Sequence, residues 1–83
     1  MPLSIFKPKS ERILDAVIAD LDQYLANNYK DQAHSMLSKL RDTADELHAS
    51  GKLKDAAYDK YRKIYEKYAE TMKNYNHREF YKS

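Results

Sequence analysis

Residues 54–76 read KDAAYDKYRKIYEKYAETMKNYN, and this stretch decides the fold. At 100° per residue, Ala57, Tyr58, Tyr61, Ile64, Tyr65, Tyr68, Ala69, Met72 and Tyr75 fall in one arc of roughly 140°. The opposite arc is Lys, Asp, Glu and Arg. Apolar residues recurring at spacings of three and four predict an amphipathic helix, because only a 3.6-residue repeat gathers them on one face.

Upstream of this helix stands Gly51, the one glycine in 83 residues. A glycine accepts the left-handed backbone that closes a helix, so Ser50-Gly51 ends a preceding helix. Leu53 and Tyr58 are spaced as a hydrophobic staple at the start of the next one. The preceding helix carries Ala33, Met36, Leu37, Leu40, Ala44 and Leu47 toward a core. Asn27 and Asn28 tolerate left-handed conformations and predict a tight turn before it. Before that turn, Leu14, Val17, Ile18, Leu21, Tyr24 and Leu25 mark a first amphipathic helix. Ser10 is placed as its N-cap, with Glu11 favourable to the first-turn dipole. The expected elements are helices over 10–27, 30–50 and 54–76, an extended segment over 1–9 and a tail over 77–83.

Short loops make successive helices antiparallel neighbours, so the predicted fold is all-α, a small antiparallel up-down-up three-helix bundle with a long C-terminal helix. Its rival is a helical hairpin completed by dimerisation. One domain is expected throughout, since 83 residues leave room for a single core. A chain this short has a stability margin of a few kcal/mol unless a staple adds to it. There is no cysteine to provide a disulfide.

Charged residues make up 34% of the chain with a net charge of +2, which describes a mixed, solvated surface rather than a nucleic-acid arm. The signs are segregated, however. Residues 11–28 carry one basic against four acidic side chains, and residues 52–83 carry nine against five, so the first and third helices should attract. Leu3, Ile5 and Phe6, interrupted by Ser4 and followed by Lys7, are too short and polar for a signal segment. No apolar run reaches the length of a membrane span. Cytoplasmic residence without membrane contact is the expectation.

Asp31-x-x-His34 and Asp45-x-x-His48 each place a carboxylate and an imidazole on one helical face. Dinuclear carboxylate bundles bring such pairs together from different helices. Here both pairs share one helix and stand roughly 21 Å apart at 1.5 Å per residue, so they cannot share a metal centre. Neither a metal nor a cofactor is expected. Six serines lie outside any nucleophile setting, and no glycine-rich loop could cradle phosphate, so no catalytic residue is assigned.

Lys60, Lys63 and Lys67 form a ridge along the third helix, the element a small nucleic-acid-binding accessory protein of phage or mobile-element type would use. Asp59, Glu66 and Glu70 are interleaved with it, and intrahelical pairing explains the pattern more economically. Nucleic acid is therefore the alternative reading.

The favoured function is a non-catalytic helical protein-interaction module. Eight tyrosines are present, and five share one face of the third helix. Tyr61 and Tyr68, central in the arc, are expected in the core with hydroxyls at its rim. The third helix should outrun the first, leaving Tyr29, Met72, Tyr75, Phe80 and Tyr81 around an aromatic end, with Tyr58 and Tyr65 on its flank. Such a surface suits a protein partner or a second copy of the chain, a homodimer.

Overall fold

Three helices are present in the computed structural model, which describes residues 7–82 and the side chains of residues 7–73: α1 (Lys9–Ala26), α2 (Lys30–Ala49) and α3 (Asp55–Lys82). They form a small all-α bundle in which α2 packs against both α1 and α3. No helix among the described residues is long and apolar enough to cross a membrane.

The start of α1 departs from expectation. Ser10 does not cap it. The helix begins one residue earlier, and the Pro8 carbonyl accepts from the backbone N–H groups of Glu11 and Arg12 at 3.0 and 3.1 Å. Ser10 is instead buried, and its hydroxyl donates to the Lys52 carbonyl at 2.8 Å. A local cap has become a tertiary tie between the first turn of α1 and the α2–α3 loop. Ser10→Ala removes that bond and is expected to cost about 1 kcal/mol. In a domain of this size that lowers the melting temperature by roughly 4–8 °C, as thermal circular dichroism would register.

Both turns use the same device. Asn28 takes φ 65°, its N–H donates to the Leu25 carbonyl, and the Tyr29 N–H donates to that of Tyr24. Gly51 takes φ 82°, its N–H donates to His48, and the Lys52 N–H donates to Leu47. These are paired closing bonds around one left-handed residue, which satisfy the last carbonyls of each helix. The apolar contact that accompanies such a close is Tyr24 against Tyr29, with ring centroids 6.3 Å apart. At the second turn, Leu53 is buried beside Leu47 and Tyr58 in one cluster, so the residues of the expected staple share a core.

The core has two layers. Leu14, Val17, Leu40, Ala44, Leu53 and Tyr61 form one, toward the α2–α3 turn. Leu21, Ala33, Leu37 and Met72 form the other, toward the α1–α2 turn. Met72, expected on the exposed aromatic end, is 1% exposed and belongs to the core. The second layer reaches further along α3 than helix lengths alone suggested, because Leu21, Ala33 and Leu37 surround it from both other helices.

Helix lengths set the outline. At 1.5 Å per residue α1 and α2 measure roughly 27 and 30 Å and α3 roughly 42 Å. Residues 77–82, expected as a tail, continue α3 as helix.

Candidate interaction surfaces

α3 positions its side chains by a strict alternation of three- and four-residue steps: Tyr58, Tyr61, Tyr65, Tyr68, Met72, Tyr75. That heptad pattern divides the helix between its two neighbours. Tyr61 and Tyr68 meet α1, whereas Tyr58 and Tyr65 meet α2.

On the α1 side the tyrosine hydroxyls find carboxylates. The Tyr61 hydroxyl donates to Asp15 Oδ1 at 2.7 Å, and Asp15 Oδ2 accepts from Lys7 Nζ at 2.7 Å. One heptad further on, the Tyr68 hydroxyl donates to Asp22. Burial acts to raise the Asp15 carboxyl, but the hydrogen bonds from Lys7 and Tyr61 and the charges of Lys7 and Lys60 outweigh it and hold it below its ordinary range. Burial and the carboxylate partner both push the Tyr61 hydroxyl well above its ordinary value. Tyr68 is pushed up to about 12 by burial first and Asp22 second. These hydroxyls are structural donors, held far from the ionised state at neutral pH.

On the α2 side a polar seam is exposed. Tyr58 stacks on His48 with centroids 4.0 Å apart and planes 8° from parallel, and its hydroxyl donates to Asp45 at 2.7 Å. The Asp45 hydrogen bond, ahead of partial burial, raises the Tyr58 hydroxyl, while Arg62 opposes the shift. His48 Nε2 donates to Asp55 Oδ1 at 2.8 Å. Arg62 lies over the Tyr65 ring at 5.4 Å.

The two Asp–His pairs are thus not used as pairs. Asp45 holds Tyr58 and sits 3.9 Å from Arg62, and His48 turns to α3. Among the described residues His34 Nε2 is shielded without a hydrogen-bond partner, and no group of three or more His, Cys, Asp and Glu could hold a metal.

No family model, curated protein or solved structure matches this chain. Its surfaces must be read from their own chemistry.

The lysine ridge is partly spoken for. Lys60 reaches Glu11 at 3.7 Å and lies over the Tyr61 ring, and Lys63 pairs with Asp59 at 3.4 Å. Of the residues expected at an interface, Tyr29 is 53% exposed at the α1–α2 turn, and Tyr58 and Tyr65 are half-buried along the seam. The side chains of Tyr75, Phe80 and Tyr81 lie outside the described residues, although the α3 backbone runs through all three positions.

Two features were not read from the sequence. No tyrosine partner follows from the sequence for Asp15, Asp22 or Asp45, yet each accepts a tyrosine hydroxyl. A second is an apolar groove lined by Ile18, Leu25, Ile64, Tyr68, Thr71 and Lys67, from α1 and α3 alone. The available signal was matched heptad spacing, seven residues between the two aspartates and seven between their tyrosines.

Proposed function

We propose that this protein is a non-catalytic helical interaction module whose contact surface is the C-terminal end of α3, flanked by Tyr58 and Tyr65. One observation carries the reading: α3 continues ten residues past Met72, the last core residue among those described, to Lys82. That is roughly 15 Å of helix beyond the last core layer. A helix end that extends past the core is a natural site for a partner, and this one bears Tyr75, Phe80 and Tyr81 in its sequence among Lys73, His77, Arg78 and Lys82. Tyr29, exposed at the same end of the bundle, widens the aromatic surface.

Support for a purely binding role comes from the polar groups. The hydroxyls of Tyr58, Tyr61 and Tyr68 are committed to Asp45, Asp15 and Asp22, which takes those three carboxylates out of use as free general bases. The nucleic-acid reading gains nothing comparable, because Glu11 and Asp59 already oppose two of the three ridge lysines.

Tyr75, Phe80 and Tyr81 changed together to Ser are expected to leave the far-ultraviolet circular dichroism of the bundle largely intact and to abolish capture of the partner. The measurement is quantitative affinity capture from the source cells with wild-type and variant chains as parallel baits. Equal recovery of the same partner by both would overturn the proposal.

A further inference from the structure

α1 and α3 run parallel in this bundle, and the tyrosine–aspartate bonds set their register: each acceptor precedes its tyrosine by 46 residues, Asp15 with Tyr61 and Asp22 with Tyr68. The apolar groove between the two helices has a floor of Ile18, Leu25, Ile64 and Thr71, with no side chain from α2. Its two borders differ in sign. On α1, Glu11, Asp15 and Asp22 fall within about 60° of Ile18 on the side away from the core residues Leu14 and Val17, at 100° per residue. On α3, Lys60, Lys63 and Lys67 line the stretch that continues the groove around Ile64, together with Asp59, which pairs with Lys63 and leaves Lys67 as the basic group nearest the groove. By the shared register Lys60 and Lys63 stand level with Asp15, and Lys67 stands level with Asp22. Lys60 already reaches Glu11 of its own chain at 3.7 Å and Lys7 holds Asp15 at 2.7 Å, closing one end and leaving Asp22 as the acidic group level with Lys67.

An acidic border, an apolar floor and a basic border on a single face make a surface complementary to itself. A two-fold axis lying in that face and parallel to the helices sets the acidic border of each copy over the basic border of the other, at equal height, with the apolar floors between them. A two-fold axis across the helices would instead set acid on acid and lysine on lysine, which is unfavourable.

We infer that a second copy of the chain docks on the α1–α3 face, forming a parallel two-fold dimer in which Lys67 of each copy meets Asp22 of the other. The inference does not rest on the proposed role of the α3 end. It bears on that role, because a parallel two-fold carries both α3 ends out of the same side of the dimer and presents two copies of that surface together.

The test is sedimentation equilibrium of the full chain. The wild type is expected near twice 9.8 kDa at low salt and to shift toward one chain as salt is raised. Lys67→Glu, and separately Asp22→Lys, are each expected to weaken the dimer at least tenfold, because each homodimer then opposes like charges twice. Mixing the two variants is expected to restore a heterodimer, since both borders are then matched. A wild-type chain that stays monomeric at every concentration overturns the inference. So does a dimer indifferent to both reversals, which places self-association on another surface such as the α3 end. A chain that dimerises only after residues 2–6 are deleted overturns it as well, by making that segment the groove's occupant. Should Asp22→Lys lose its helical circular dichroism, the lysine variant decides alone, and retention of its dimer overturns the inference.

Discussion

Tyr61→Ala is expected to leave most of the chain unfolded at 25 °C, the largest effect of any single substitution in this bundle. Tyr61 is 1% exposed and is the largest of the fully buried side chains. It packs in the layer with Leu14, Val17, Leu40, Ala44 and Leu53, so its removal opens a cavity that side chains from all three helices would have to close. Truncating a buried aromatic to Ala costs about 3–5 kcal/mol. The cost also includes a partner for Asp15, left with Lys7 alone. A domain of this size without disulfides has a margin of only a few kcal/mol. Tyr61→Phe separates the two contributions, because it keeps the ring and removes the hydroxyl, at about 1–2 kcal/mol. Urea unfolding followed by circular dichroism checks both. The account fails if the Ala variant is as stable as the Phe variant.

An alkaline unfolding transition is the second large effect. Tyr61 and Tyr68 both have hydroxyls raised above the ordinary tyrosine value of 10.0, Tyr68 to about 12 and Tyr61 further. A group whose folded-state pKa is raised contributes stability that is fully present below its unfolded pKa and is lost as pH rises through the folded one. Stability should therefore be level up to about pH 10 and then fall as the unfolded chain binds fewer protons than the folded chain. Ionising either hydroxyl in place would also set tyrosinate against the aspartate that accepts its bond. Absorbance of tyrosinate near 295 nm, recorded with circular dichroism, is expected to show late-titrating tyrosines that ionise together with loss of helix. Tyr61→Phe and Tyr68→Phe should each remove a share of the late signal. Free titration of all tyrosines near their ordinary value with the helices intact would contradict it.

On the acid side the sign reverses. Asp15 is held below its ordinary value, so its contribution is present at neutral pH and is lost as pH falls through the folded value. Asp15 is about 40% exposed, so solvent screening keeps this effect small beside the alkaline one.

The helices were legible because their determinants are local. One apolar stripe per segment, Gly51, and the Asn27-Asn28 pair are enough to place both turns and every helix boundary within a residue or two, except the C-terminal end of α3, which runs six residues past 76. The boundary at Ser10 was not, since its hydroxyl bonds to Lys52, a residue 42 positions away that no local cap rule includes. The far end of α3 was misplaced for a related reason: Met72 looked unpartnered by helix length, and only packing shows Leu21, Ala33 and Leu37 closing around it.

By itself the sequence determined the class of fold, the antiparallel order, the core position of Tyr61 and the opposite charges of α1 and α3, because periodicity and composition act over a few residues at a time; Tyr68, expected beside it in the core, is only partly buried. Tertiary structure alone decided which partner each tyrosine hydroxyl takes. It also decided that acid, apolar floor and lysine share one face. Both depend on the rotation and register of α1 against α3, which is set by how bulky tyrosines fit between two helices rather than by any single helix.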